Sequence, residues 1–359
     1  GSTTTTDDDE RHLLFEHTRI INGNKAVEDR YSYAVSLQDD VGHFCGGSLI
    51  APDVVLSAAH CAAGEYKAVI GRHSLQDTDG EEMTIKVEMM HPEYSIDTTD
   101  NDFMLVFLDS AVTATNVDLV KLNKDSNVPS IGSSVTVMGW GDTDIRDDVS
   151  KLSDVLMNVD VNVISNNECD ASEGTVDGYY DTYENQITNN MLCARVVGGG
   201  EDSCQGDSGG PLVVKGANAG QDVQVGVVSW GIGCASEHFP GVYARVSRSY
   251  NWIEDEVCSR SSYASNAGFN CSGSGGSTPT PPSPNPPSPN PPSPSPPSPS
   301  PPSSGSGGGD SSGSGSASGA LAGPAGMAAT GIAAARLVGL GGGGGFVAFS
   351  RFGGGGVLR

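Results

Sequence analysis

The chain has 359 residues, a formal charge of −25 and a pI near 4.4, enough length for one large or two ordinary domains with substantial cores. From Ser272 to Arg359 the only charged residues are Asp310, Arg336, Arg351 and Arg359, so the first 271 residues carry 43 acids against 16 bases. So acidic a body repels polyanions, which argues against nucleic acid and favours cationic partners, although a merely soluble acidic surface has the same composition.

Residues 1–19 are Thr-rich, then acidic, and end in "EHTR". Residues 20–258 are mixed and periodic. Runs such as "YAVSLQ", "DVVLSAA", "TIKVEMM", "DFMLVFL", "SVTVMGW", "VQVGVVSW" and "GVYARV" are divided by Gly, Asp and Asn turns, which predicts many short strands. With few helical patterns, the expected class is all-β, a sandwich or a barrel. "SRSYNWIEDEV", Ser247 to Val257, is the clearest amphipathic helix, with Tyr250, Ile253 and Val257 on one face.

All eight cysteines lie between Cys45 and Cys271. An even number in the globular part points to an oxidising compartment and four bridges. Metal ligation is the alternative, but the chain has no CxxC pair and no HExxH. The opening "GSTTTTDDDERHLL" has no charged region followed by an apolar run, so a removed secretory signal is an expectation drawn from the cysteines.

From Thr278 to Pro302 the chain repeats "PPSPNPPSPNPPSPSPPSPSPP", which imposes polyproline II and prevents core formation; residues 278–319 read as a disordered Pro/Ser/Gly-rich spacer. The repeat resembles the Ser-Pro modules of hydroxyproline-rich cell-wall glycoproteins. Residues 320–359 form an Ala/Gly-rich tail. Ala320 to Leu340 has the length of a membrane span, yet it contains Pro324 and Arg336. An arginine near the centre costs about 2.5–3.5 kcal/mol on an insertion scale, against a few tenths gained per leucine. Membrane or cell-wall association through this tail stays open.

Three short motifs carry chemistry. "GDSGG" places Ser208 between residues that permit a sharp, exposed turn. "LSAAHC" ends an apolar strand at His60. "DNDFMLVFL" sets Asp102 immediately before a strand too apolar to be surface. A lone serine, histidine or aspartate is as readily a loop or core residue. Together they offer a nucleophile, a base for its proton and an orienter for that base, which is what covalent hydrolysis requires.

In the order "SAAHC", "DNDFML", "GDSGGP", residues Ile20 to about Val257 resemble a trypsin-type serine protease of the chymotrypsin family. The resemblance implies two Greek-key six-stranded β-barrels packed face to face, at about 20–128 and 129–258, with a short C-terminal helix and a post-domain loop over 259–277. It implies that Ser208 attacks the scissile carbonyl, His60 shuttles the proton and Asp102 holds the His60 tautomer. It also makes the backbone N–H groups of Gly206 and Ser208 the oxyanion hole, and Ser229 a hydrogen-bond donor to Asp102. Ser229, Trp230 and Gly231 would pair with substrate as an added strand.

Asp202, six residues before Ser208, corresponds to the floor of the primary pocket, with Gly231 and Gly241 in its walls. A carboxylate there selects Arg or Lys, an attraction of about 4 kcal/mol at 4 Å and an effective dielectric near 20, before desolvation. Asp207 would pair with a new α-amino group freed by cleavage in "TR|IING", between Arg19 and Ile20, which makes residues 1–19 a propeptide. Arg19 matches the expected specificity, so self-activation is open. By the same resemblance Cys45 pairs with Cys61, Cys169 with Cys193 and Cys204 with Cys234, leaving Cys258 and Cys271 for each other. The one N-glycosylation sequon, Asn270–Cys271–Ser272, includes a cysteine of that last pair.

Two segments depart from the family pattern. The calcium loop corresponds to "GRHSLQDTDGEE", but Arg72 occupies a usually acidic position; pairing with Asp79 or Glu82 would replace the metal, and no metal or other cofactor is expected. "ASEGTVDGYYDTYENQ", between Cys169 and Cys193, is long, acidic and Tyr-rich, and is expected near the outer substrate subsites. The expectation is a secreted or cell-surface monomeric endopeptidase acting on protein or peptide substrates at Arg or Lys. A non-catalytic binding module and a mainly structural cell-wall protein are the competing classes.

Overall fold

The computed structural model describes residues 23–142, 152–176, 178–196, 206–233 and 236–271. After a two-residue strand β1 (Asn24–Lys25), six strands follow: β2 (Ala34–Gln38), β3 (His43–Ala51), β4 (Val54–Ser57), β5 (Lys67–Ile70), β6 (Glu81–Met90) and β7 (Met104–Leu108). They close an antiparallel barrel in the order β2-β3-β4-β7-β6-β5. The apolar runs that suggested strands are its walls: every residue of β4 and β7 is buried. Closure removes the exposed edges that such strands would otherwise present.

The short β8 (Lys121–Leu122) leads into β9 (Ser134–Gly139) and β10 (Met157–Ile164). Along β10 the inward residues Met157, Val159, Val161 and Val163 alternate with polar ones, the period-two signature of a half-buried strand. Helix α1 (Asn166–Asp170) starts at Ser165, whose hydroxyl accepts from Glu168 N at 3.1 Å. A hairpin of β11 (Glu173–Val176) and β12 (Tyr179–Thr182) precedes β13 (Met191–Arg195), β14 (Pro211–Val214), β15 (Val223–Trp230) and β16 (Gly241–Arg245). Strands β10, β13, β16, β15, β14 and β9 form a second six-stranded antiparallel barrel, closed by β9 pairing with β10. β1 joins β10, and β8 runs parallel to β15.

The last helix is α2 (Val246–Arg260), which begins one residue before the expected helix and ends three after it; the described chain runs on to Cys271. Its buried face is Val246, Ser249, Ile253 and Val257, with Tyr250 at the flank, its hydroxyl donating to Glu254 Oε1 at 3.0 Å. The tyrosine keeps a polar tip that needs a partner at the surface, and the small Ser249 takes the inward position.

One continuous core joins barrel 1 residues such as Leu49, Leu56 and Phe103 to Met138, Val213, Val227 and Ile253 of the second half. A separate cluster fills barrel 2 around Val137, Val161, Leu212 and Tyr243. Disulfides join Cys45 to Cys61, Cys169 to Cys193 and Cys258 to Cys271. Across the seam, the fully buried Asp222 accepts from Arg30 Nη1 and Nη2 at 2.6 and 2.8 Å, from Tyr33 Oη at 2.7 Å and from Gly216 N at 2.7 Å. Among the described residues no helix is long and apolar enough to cross a membrane. The proline repeat and the 320–340 segment lie outside those residues.

Candidate active site

Strand register brings His60 and Asp102 together. β4 and β7 are antiparallel with Ser57 opposite Met104. The chain therefore leaves β4 at the same barrel end where it enters β7. His60 sits in the 3-10 turn Ala59–Cys61 beyond β4, and Asp102 lies two residues before β7. The Cys45–Cys61 disulfide anchors that turn to β3.

Asp102 is fully buried and its carboxylate accepts three hydrogen bonds. Oδ1 accepts from His60 N at 2.9 Å, and Oδ2 from His60 Nδ1 at 2.7 Å and from Ser229 Oγ at 2.6 Å. The side chain of Ser229 is re-aimed by a register shift in β15 between Val228 and Trp230. A carboxylate can only accept, so Nδ1 carries the proton and neutral His60 keeps its Nε2 lone pair. Burial pushes the His60 pKa down, but the charge of Asp102 and its hydrogen bond outweigh burial and hold it above 6.5.

Ser208 comes from the other barrel, on the turn before β14. Its carbonyl accepts from Gly46 N of β3 at 2.7 Å, and Gly209 N donates to Val228 O at 2.9 Å. Gly209 has φ +79°, and a Cβ there would collide with Ser57 Oγ and Gly46 O. The turn is thus seated against the strand end that leads to His60, and only glycine fits its tightest point. Next to it, Asp207 is fully buried, with Oδ1 accepting from Gly141 N at 2.9 Å. Added Cβ atoms at Gly139 and Gly141 would overlap its carboxylate, so two glycines of the β9 exit form the cradle of this charge.

The sequence reading missed a polar relay behind Gly206. Gln38 Nε2 donates to Ser36 Oγ at 3.0 Å, Ser36 Oγ meets His43 Nδ1 at 2.7 Å, and His43 Nε2 meets the Gly206 carbonyl at 2.8 Å. A carbonyl only accepts, so His43 donates through Nε2 and receives the Ser36 proton at Nδ1. Burial depresses the His43 pKa to about 4, keeping the ring neutral. "GHFCGG" gave no hint of this, because its partner is 163 residues away.

Trp230 and Gly231 follow the Ser229 bulge, and Tyr183 braces them. Its ring packs edge-on against Trp230 at 4.9 Å, while its hydroxyl accepts from Ile232 N at 2.9 Å and donates to Pro240 O at 3.0 Å. Gly241 is buried in β16 opposite Ala194. Asp202, Cys204, Cys234, Arg19 and Ile20 lie outside the described residues.

A sequence profile described as "Trypsin" matches residues 20–253. Trypsin of the dogfish Squalus acanthias is 39% identical over 245 residues, covering 67% of this chain and 97% of the relative. Human "Trypsin-3" is 38% identical over 246 residues, covering 68% and 74%, and human "Serine protease 1" is 37% identical over 246 residues, covering 68% and 91%. The chain belongs to the trypsin family of serine proteases. It is a trypsin-like serine endopeptidase whose substrates are proteins, and its disulfides fit the secreted character of that family.

The family's calcium loop corresponds to residues 71–82, and the donor set here does not fit a divalent cation. The Arg72 side chain is 6% exposed, and its Nε donates to Asp79 O at 2.8 Å. Nη2 pairs with Glu82 Oε1 at 3.2 Å, while Asp79 Oδ1 lies 3.9 Å from Nε. Lys67 Nζ takes the other oxygen of Glu82 at 2.7 Å. Asp79 O and both oxygens of Glu82 are thus engaged by side-chain cations, and Glu81 accepts from Thr113 N and Oγ1 at 2.8–3.1 Å. A buried guanidinium there repels a second positive charge.

Proposed function

We propose that this protease cleaves peptide bonds after Arg or Lys, with Ser208 as nucleophile, His60 as general base and acid, and Asp102 as the group that fixes and charges against His60. The observation that carries the reading is the Ser229–Asp102–His60 chain of short hydrogen bonds beside the Ser208 turn. His60 Nε2 takes the serine proton as Oγ attacks the carbonyl carbon. The imidazolium so formed is stabilised by Asp102 and then protonates the leaving amine. Backbone N–H groups of Gly206 and Ser208 receive the oxyanion, each such donor being worth about 2.7–4 kcal/mol in the barrier. The His43 contact to the Gly206 carbonyl fixes the backbone from which one of them projects.

The sequence position of Asp202, six residues before Ser208, supports basic specificity, with Gly231 and Gly241 as the proposed pocket walls, as does the likeness to trypsins. Cleavage between Arg19 and Ile20 supplies the amine for Asp207. Residues 278–319 act as a separable spacer that holds the protease near a cell surface or wall.

The test is a cleavage profile of the full chain after processing at Arg19, on amide substrates that differ only at the cleaved residue. Hydrolysis confined to Arg and Lys is expected, with the preference lost in Asp202→Ser while Ser208 still reacts with small acylating inhibitors. An unchanged Arg preference in that variant refutes the pocket; a folded, processed chain without activity refutes the triad.

A further inference from the structure

Immediately before Asp102 the backbone enters the left-handed region twice, at Thr99 (φ 56°) and Asn101 (φ 54°). Asparagine tolerates this conformation, but for a β-branched threonine it persists only where surroundings impose it. The residue between them, Asp100, sends its carboxylate across the seam into barrel 2. Oδ1 accepts from Thr188 Oγ1 at 2.6 Å, and Oδ2 from Asn190 Nδ2 at 2.9 Å. Both partners lie just ahead of β13, and the platform is itself tied down. Asn190 N donates to Thr188 Oγ1 at 3.1 Å, and Asn190 O accepts from Arg245 N at 2.8 Å. On the barrel 1 side, Ser95 N donates to Asp100 O at 3.1 Å and Asn101 Nδ2 to Glu93 O at 3.2 Å.

We propose that Asp100 is a positioning residue for catalysis: its carboxylate locks the left-handed Thr99–Asn101 turn onto the second barrel and so fixes the depth at which Asp102 meets His60. Hydrogen bonds to an ionised acceptor are the strong kind, and two directed at one carboxylate from a separate element define its position as well as its distance. Asp102 reaches barrel 2 through its side chain, Oδ2 accepting from Ser229 Oγ at 2.6 Å, whereas Asp100 ties the backbone on which Asp102 sits; Phe103 N donates to Asn101 O at 2.8 Å, inside the same turn. Without the lock, the turn relaxes toward ordinary backbone angles and the carboxylate withdraws from the imidazole. The inference rests on the triad reading made above.

The experiment uses the processed full chain, with Asp100→Ala, Asp100→Asn, Thr188→Val, Asn190→Ala and their combinations, and Ser208→Ala as the control. For Asp100→Ala, kcat falls by about 10–100-fold, the scale of a misplacement near 1 Å, while KM stays within about twofold. The acid limb of kcat/KM moves to lower pH, because a displaced Asp102 no longer raises the His60 pKa. Asp100→Asn, which keeps an acceptor oxygen, recovers part of the loss. Thr188→Val with Asn190→Ala reproduces it, and adding Asp100→Ala to that pair costs less than about threefold more. If Asp100→Ala fails to fold, the Thr188 and Asn190 variants carry the same comparison. Parent-like kcat, a loss confined to KM with an unmoved acid limb, or full additivity overturns the proposal. Activity persisting in Ser208→Ala overturns instead the triad reading beneath it.

Discussion

Replacing Gly141 with alanine drives a methyl group into the buried Asp207 carboxylate. A Cβ at this position lies 2.5 Å from Asp207 Cγ, 2.5 Å from Oδ2 and 2.7 Å from Oδ1, where ordinary contact begins at 3.4 Å. The carboxylate must retreat by roughly 1 Å, and Gly139 with its own strand limits the space behind it. Retreat also stretches the 2.9 Å bond from Gly141 N to Oδ1. Overpacking costs about 1–3 kcal/mol and a weakened bond to a charged acceptor about 1.5–3 kcal/mol, so the turn loses about 2.5–6 kcal/mol of support. The same turn carries Ser208, so the deformation reaches the nucleophile and its oxyanion donors directly. The acylation rate of processed Gly141→Ala by a fluorophosphonate reagent should fall by at least about 100-fold, the cost of a 1 Å error at the chemistry, while far-ultraviolet circular dichroism stays near that of the parent. A rate within about threefold of the parent would refute the reasoning, since it would mean that the cradle is not what places the turn.

Asp102→Asn should lower kcat by about 10⁴, with binding little changed, because the amide stabilises the wrong His60 tautomer; comparable kcat values would remove the carboxylate from the mechanism. Because the His60 pKa is raised above 6.5, kcat/KM should climb through an ionisation above that pH and flatten on the alkaline side; a midpoint below 6.5 would contradict it. His43 behaves oppositely in the stability ledger. Its folded pKa near 4 means that the unfolded chain binds the proton first, so stability falls as pH drops from about 6.5 to 4, by roughly 2–3 kcal/mol. Urea titrations of the Ser208→Ala background should show that slope, and the addition of His43→Gln should flatten it. Asp222→Ala strands Arg30 and the Tyr33 hydroxyl at the barrel seam and should cost about 3–5 kcal/mol, lowering Tm by roughly 6–20 °C in calorimetry; a shift under about 2 °C would make the cluster ornamental.

Strand positions were legible where apolar residues dominate a run. The runs "DVVLSAA" and "DFMLVFL" contain the barrel walls β4 and β7, and "SVTVMGW" contains β9, whereas the alternating "MNVDVNVI" of β10 was not among the runs read as strands. The candidate triad was legible because each member sits in a local motif whose neighbours do local work. In "SAAHC" the cysteine anchors the turn, and in "GDSGGP" Gly209 makes the sharp bend. What stayed hidden depends on pairs distant in the chain. Gly139 and Gly141 are ordinary strand-end glycines until Asp207 is placed against them, and His43 is an unremarked histidine until the Gly206 carbonyl arrives. Of the three residues read on one helix face, Ile253 and Val257 are buried and Tyr250 is half-buried. The bulk of Tyr250 keeps it at the flank, and the smaller Ser249 fits the packed seam.

The placement of His60 and Asp102 on barrel 1, with Ser208 and Ser229 on barrel 2, has a consequence for how this molecule fails. On the proposed triad, hydrolysis needs groups from both halves, so a slackening that parted them by an ångström would silence the protease while most of its secondary structure survived. Activity would then be lost before the barrels unfold.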